Sequence, residues 1–387
     1  MKILIALSRF PYPLEKGDKL RAYHQIRCLS QKHDIYLVAV HEQSVSLNDL
    51  EQLKPFCKEI FLLKQGPVDK CVNIAKAFFS GLPLQCGYFY SRRNQKRFDE
   101  IVAQVRPDHI YCQLIRMAEY VKNYPVVKTL DYQDVFSKGA LRRAEKAVWF
   151  MKPFFMMEYR RVARYENVVF NRFNHKTIIT AVDRDLIPNE HRDEIVVVAN
   201  GVDFEHFSYH QEEKVYDIIF SGNMNYAPNV DAAEFLAKEI FPALKREMPG
   251  LKLVLCGATP APRVKALQSE DVIVTGWVDN MAEWYAKSRV FVAPMRMGTG
   301  LQNKLLEAMA MQLPCVTSPL AAKPLENAEA KYAVMPCSTT SGYVEAVRGL
   351  LQDPELYQRL SNNGYQYVHE QYDWQNAVEK LQQLMSQ

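Results

Sequence analysis

The stretch Pro294-Met295-Arg296-Met297-Gly298-Thr299-Gly300-Leu301-Gln302-Asn303-Lys304-Leu305-Leu306-Glu307-Ala308-Met309-Ala310-Met311 decides the fold. The apolar run 290–294 ends a β-strand, a glycine-bracketed loop follows, and a run of strong helix formers begins near Leu301. This is a strand–loop–helix unit, and it presents backbone N–H groups to an anion at the helix N-terminus. Gly298 and Gly300 let a phosphate approach the backbone, and Arg296 and Lys304 supply two cations for a diphosphate. At ~100° per residue, Leu301, Leu305, Ala308 and Met309 share one face, and Leu306, Ala310 and Met311 extend the apolar character nearly all round. The helix is therefore buried, with Asn303, Lys304 and Glu307 together on one side. Buried charges need partners. Two pairings meet that need: a Lys304–Glu307 ion pair of purely structural role, or Lys304 on phosphate with Glu307 on ribose hydroxyls. The loop is neither a P-loop nor a dinucleotide G-x-G-x-x-G.

The same alternation of short apolar runs and helix-period stretches extends through the chain and predicts mainly parallel sheets. Strands are expected at 2–7, 34–40, 59–63, 109–113, 127–131 and 177–182, then at 217–221, 252–257, 272–275, 290–294, 315–318 and 333–336. The 387 residues suit two domains of the usual size, roughly 150 residues each. The turn dipeptide Asn200-Gly201 marks the junction. The expected domains are 1–199, joined by a C-terminal helix at 366–387, and 200–365.

Composition excludes disorder, a fibrous repeat and a small stapled scaffold: 48% of residues are hydrophobic and 24% charged. The eight cysteines form no C-x-x-C pair and no zinc-spaced cluster, and read as reduced core residues of a cytoplasmic protein. No apolar run has the length of a membrane span or a signal-peptide core. Net charge is +4, unevenly placed: residues 138–176 hold ten Lys/Arg and three acids, +7 against −3 elsewhere. That segment also carries Trp149, Phe150, Phe154, Phe155, Met156 and Met157. It reads either as a surface for an anionic membrane or lipid substrate, or as an amphipathic hairpin with a solvated basic face.

Gly298–Thr317 resembles the donor-site signature of GT-B glycosyltransferases of family 4, G-x-G-x-x-x-K-x-x-E-A-M-A-x-G-x-P-V-V. Asn200-Gly201-Val202-Asp203, with Phe207, is similar to that family's interdomain motif. Phe220–Asn229 and Thr275–Asp279 resemble its strand ends around the nucleotide, and Phe10–His24 resembles the first loop of bacterial exopolysaccharide and capsule sugar transferases.

The resemblance implies an α/β fold of GT-B type: two Rossmann-like, doubly wound domains facing a central cleft. It implies a hexosyltransferase-type enzyme that moves a sugar, with retention, from a UDP- or GDP-sugar to a glycan or lipid-linked acceptor in surface polysaccharide biosynthesis. Neither metal nor cofactor is implied, and no nucleic acid. The donor would meet Gly222, Asn223, Val278, Gly298, Thr299, Gly300, Leu305 and Glu307. Asp131, Arg296 and Lys304 would be catalytic, and Gly17, Asp18 and Arg21 would face the acceptor. A cytoplasmic location is expected, peripheral at the inner face of the plasma membrane through 138–176.

Several positions depart from the family pattern. Thr299 stands where its first glutamate is expected, Asn223 and Pro228 replace two phosphate cations, and Thr129–Ser137 lacks its histidine, leaving Asp131 at the strand end. Asp183-Arg184-Asp185 is a D-x-D string of the kind that binds metal in a different glycosyltransferase fold. Two rival functions share the architecture: a nucleotide-sugar 2-epimerase, and a non-catalytic nucleotide-sugar-binding protein.

Overall fold

In the computed structural model, residues 1–42, 44–298, 300–325, 328 and 332–387 are described. The chain divides into two units, 1–199 with 375–387, and 200–374.

The first unit is built on a seven-stranded parallel sheet of β1 (Lys2–Leu7), β2 (Asp34–His41), β3 (Glu59–Lys64), β4 (His109–Gln113), β5 (Val127–Asp131), β6 (His175–Ile178) and β7 (Val196–Val197). Its order is β3-β2-β1-β4-β5-β6-β7. The strands read as nearly continuous apolar runs because helices cover both faces: five of the six β1 residues are buried. One flank of the core holds Phe98, Ile110, Leu130, Val162 and Phe170. The direction of winding reverses between β1 and β4, so loops leaving these two strands diverge and open a crevice at their carboxyl ends.

Two local readings change here. The run expected as a strand at 177–182 ends at Ile178, because Thr180 stops it: its hydroxyl accepts from Asp183 N–H at 3.0 Å and caps the short helix Ala181–Arg184. Asp183 is thereby part of a helix cap. Val196–Val197, expected within the interdomain stretch, pairs with β6 as a seventh strand.

The basic segment folds as two packed helices, Phe136–Lys146 and Lys152–Phe170. Ala144, Val162, Tyr165, Val169 and Phe170 turn inward, while the connecting tip leaves Trp149 85% exposed. Cys71 lies exposed on the helix Pro67–Ser80, so the cysteines are not all core residues.

The second unit carries β8 (Tyr216–Ser221), β9 (Leu253–Cys256), β10 (Val272–Val274), β11 (Ser288–Ala293), β12 (Cys315–Thr317) and β13 (Met335–Pro336). All are parallel, in the order β10-β9-β8-β11-β12-β13. Its winding reverses between β8 and β11. The helix Pro354–Gln371 packs on Asn303–Ala310. A Cβ on Gly364 would stand 3.1 Å from Met309 Cγ, and Ser361 Oγ donates to Gln312 C=O at 2.7 Å. Residues 366–374 therefore stay with this unit, and the segment that rejoins the first is 375–387, shorter than expected. Gly201 is fixed by packing as well as by turn chemistry: a Cβ there would fall 2.4 Å from Trp374 N.

Candidate functional site

In the second unit the loops after β8 and β11 are neighbours by topology, which brings Gly222, Asn229, Lys304 and Glu307 together. The helix that carries Lys304 and Glu307 starts at Asn303, two residues later than expected, with Gln302 extended before it. The helix buries Leu305, Leu306, Ala308, Met309 and Ala310, and Lys304 and Glu307 remain partly accessible. Lys304 Nζ donates to Asn229 Oδ1 and sits 4.8 Å from the centroid of the Phe220 ring. Asn229 is held in turn by donating to Asn223 C=O at 2.9 Å.

On the same face, Tyr285 OH donates to Glu307 Oε2 at 3.1 Å and lies 2.7 Å from Ser221 Oγ. Burial pushes the Lys304 ammonium down to about 7, against the opposing pull of Glu307, and pushes the Glu307 carboxyl up to about 7. Near neutrality each is poised between charge states, the condition in which an arriving anion or hydroxyl decides the outcome. Gly222 sits where the cation is closest: its φ is +145°, and a Cβ would meet Asn229 Nδ2 at 2.7 Å and Lys304 Nζ at 3.1 Å. The loop glycines also have positive φ, +98° at Gly298 and +85° at Gly300.

Other expected donor contacts divide. Val278 follows β10 and is half-buried. The Asn223 side chain accepts from Asn225 N–H at 3.0 Å and from Thr259 Oγ1 at 3.2 Å, so it shapes its own loop. Thr299 lies outside the described residues. Leu305 needs correction: its side chain has no exposed surface and its N–H donates to Gln302 C=O at 2.9 Å, leaving it no group for a ligand. Arg296 needs correction as well. Its guanidinium grips Asp231 through Nε at 3.0 Å and Nη2 at 2.8 Å, half exposed and 4.4 Å from the Phe235 ring centroid. The fork that was expected to hold phosphate is engaged elsewhere.

In the first unit, Asp131 and Arg21 form one closed pair: Arg21 Nε donates to Asp131 Oδ2 at 2.8 Å and Nη2 to Oδ1 at 3.0 Å, with neither side chain exposed. Thr177 Oγ1 also donates to Asp131 Oδ1 at 2.8 Å. The expectations that Asp131 is catalytic and that Arg21 contacts the acceptor are both corrected, since the two consume each other inside the core. Asp18 accepts from Arg9 at 2.7 Å, its carbonyl accepts from Gln113 Nε2 at 3.0 Å, and Gly17 is exposed at the start of the helix Gly17–Leu29. His24 is buried edge-on against Tyr23 and Trp374 is buried, both as packing residues. Sequence reading placed Phe220 and Asn229 in the resembling stretch without giving either a role, and missed Tyr285, which lies on the separate helix Met281–Ala286. Among the described residues no group of His, Cys, Asp and Glu is placed to hold a metal, Asp183 and Asp185 included.

Residues 215–353 match the family model described as "Glycosyl transferases group 1". The matched residues lie within the second unit, 200–374. The chain is 22% identical over 334 residues to an uncharacterised 44.6 kDa protein in the cps region of Klebsiella pneumoniae, spanning 80% of each. Among solved structures, sucrose-phosphate synthase from Thermosynechococcus elongatus aligns with a TM-score of 0.70 at 14% identity, over 99% of this chain and 98% of that one. HepE from Anabaena, in complex with UDP and glucose, aligns at 0.69 and 12%, over 100% and 99%. The UDP-GlcNAc 2-epimerase of Neisseria meningitidis aligns at 0.58 and 12%, over 100% and 99%. Both units of this glycosyltransferase thus have the GT-B α/β fold. No helix among its described residues is long and apolar enough to cross a membrane.

Proposed function

We propose that this glycosyltransferase moves a hexose from a UDP- or GDP-sugar to a glycan or lipid-linked acceptor, with retention of configuration, in the assembly of a surface polysaccharide. The observation that carries the reading is the Gly222–Lys304–Glu307 cluster: a desolvated ammonium beside a glycine that leaves room for phosphate, one helical turn from a carboxylate suited to ribose hydroxyls. Departure of a nucleoside diphosphate places negative charge on its oxygens. Lys304, the N-terminus of Asn303–Ala310 and the backbone at Gly298 and Gly300 would stabilise that charge without reorganising. Because Arg296 is bonded to Asp231, Lys304 is the principal side-chain cation of this proposal. The UDP complex of HepE supports a uridine donor, and the cps-region relative supports the pathway.

A thermal-shift screen against UDP, GDP and ADP, followed by product analysis with the preferred nucleotide's sugars, tests this reading. Stabilisation by UDP or GDP and a glycoside of unchanged anomeric configuration are expected. An epimerised sugar nucleotide formed without acceptor would favour the epimerase reading, and binding with neither transfer nor slow hydrolysis would favour a non-catalytic protein.

We further propose that the cytoplasmic enzyme docks on anionic membranes through its first unit. The tip between the paired helices exposes Val148, Trp149 and Phe150 beside Lys146 and Lys152. Arg161 Nη2 donates to Phe78 C=O at 2.8 Å, joining this hairpin to the helix Pro67–Ser80, where Phe79 is 87% exposed. Aromatic side chains ringed by cations match the interface of an anionic bilayer. Binding to phosphatidylglycerol vesicles should fall with salt and be lost in the Trp149→Ser, Phe150→Ser double variant; equal binding to neutral vesicles would contradict docking of this kind.

A further inference from the structure

The first unit contains a cavity of about 800 Å³ whose lining includes the residues that leave β1, among them Ser8, Arg9 and Phe10, and Arg116, which follows β4. It thus sits where the sheet order reverses, the position at which open α/β sheets bind ligands. Two guanidiniums converge there on one ring: Arg9 lies 6.0 Å and Arg116 5.6 Å from the centroid of Phe89. Arg116 also lies 4.8 Å from the Phe136 centroid.

The acids of the cavity are engaged elsewhere. Glu42 pairs with Lys70 at 2.6 Å and accepts from Tyr88 OH at 2.7 Å, Glu15 pairs with Lys19 at 3.2 Å, and Asp49 closes a helix cap with Ser46. Asp18, outside the lining, takes Nη1 of Arg9 at 2.7 Å, a single contact that leaves the rest of that fork facing the cavity, unlike the two-point grip of Asp231 on Arg296. Arg116 is different: its Nε is buried without a hydrogen bond, and among the described residues no carboxylate is in ion-pair contact with it. Burial and the like charge of Arg9 lower its affinity for its own proton, against the weaker opposing pull of Asp18 and Asp134. The backbone leading to it is strained, with Leu114 at φ +66° and ψ 147°, a region that non-glycine residues avoid and that clusters at binding sites. A half-buried guanidinium whose Nε has lost water without gaining a partner is costly unless a ligand supplies the missing contact.

We propose that Arg116 and Arg9 form an anion subsite that holds a phosphate-type oxyanion of the acceptor. The planar fork of Arg116 suits bidentate contact with such a group, and the rings of Phe89 and Phe136 fix its orientation. This assignment rests on the reading of the first unit as the acceptor side. The anion belongs either to a lipid-borne diphosphate or to a water-soluble phosphorylated sugar. The helix Pro67–Ser80, which exposes Val72, Ile74, Phe78 and Phe79 and whose Ile74 also lines the cavity, offers a path for a lipid tail.

Calorimetric titration with inorganic pyrophosphate tests the subsite. The Lys304→Ala background removes competition from the donor site. There, Arg116→Gln should weaken pyrophosphate roughly tenfold to a hundredfold, and Arg9→Gln should weaken it to a smaller degree. Arg116→Gln alone should leave UDP affinity unchanged, which separates this inference from the donor assignment. If Arg116→Gln compromises folding, Arg116→Lys supplies the test: it keeps the charge, loses the fork, and should still weaken binding. Farnesyl diphosphate binding tenfold tighter than pyrophosphate would support a lipid-borne anion, and equal binding a soluble one. Pyrophosphate affinity that is the same with and without the Arg116 and Arg9 guanidiniums would overturn the subsite.

Discussion

Arg21–Asp131 in the first unit and Lys304–Glu307 in the second each place a cation and a carboxylate beside the carboxyl end of a parallel strand, yet they do opposite work. The first pair is closed, with two charge-assisted hydrogen bonds, a further bond from Thr177 and no exposed surface. The second is open: Lys304 leans on a neutral amide, Glu307 accepts from a phenol, and burial moves both toward neutrality. A buried charge that has found its partner builds structure, while one kept from its ordinary protonation state without a full partner is available to a ligand.

The largest expected effect breaks the closed pair. Asp131→Asn strips the counter-charge from a guanidinium with no solvent access and should cost about 3–5 kcal/mol of stability, read by urea unfolding; a loss below about 1 kcal/mol would place Asp131 among surface pairs. Next comes the open site. Gly222→Ala puts a methyl group against Asn229 and Lys304 at an unfavourable φ, and should weaken nucleotide binding at least tenfold in a titration with UDP.

The pH dependence sharpens the contrast further. Lys304 must hold its proton to meet phosphate, and it loses that proton above about 7 in the free protein. Glu307 must be ionised to accept from ribose, and it is protonated below about 7. Affinity for UDP-glucose, whose phosphates do not titrate in this range, should therefore peak near neutrality. Glu307→Gln should flatten the acid limb and Lys304→Ala the alkaline limb. The smallest effect belongs to Arg296→Ala: a half-exposed pair with Asp231 should change stability by less than about 1 kcal/mol in the same unfolding assay.

Much of this was legible in the chain, for physical reasons. Parallel strands covered on both faces are apolar runs, so all but the two-residue β7 were visible, and the glycine loop with its helix announced the anion site. The errors lie where a side chain's partner sits far away in sequence. Asp131 stands at a strand end where sites gather, but Arg21 is 110 residues away and closes it off. Asp231 neutralises Arg296 from 65 residues away. Leu305 lies inside a ligand motif and serves only the core. The strand expected at 177–182 was cut short by the Thr180 hydroxyl capping the Asp183 N–H, a local competition that apolar patterning does not register.

The most direct test of the account sets the two pairs side by side: UDP titration and urea unfolding of wild type, Lys304→Ala and Asp131→Asn in parallel. Lys304→Ala should lose nucleotide affinity by roughly tenfold to a hundredfold with stability kept, and Asp131→Asn should lose stability while its folded fraction binds UDP as wild type does. Undiminished UDP affinity in Lys304→Ala, or a selective loss of affinity in folded Asp131→Asn, would contradict it.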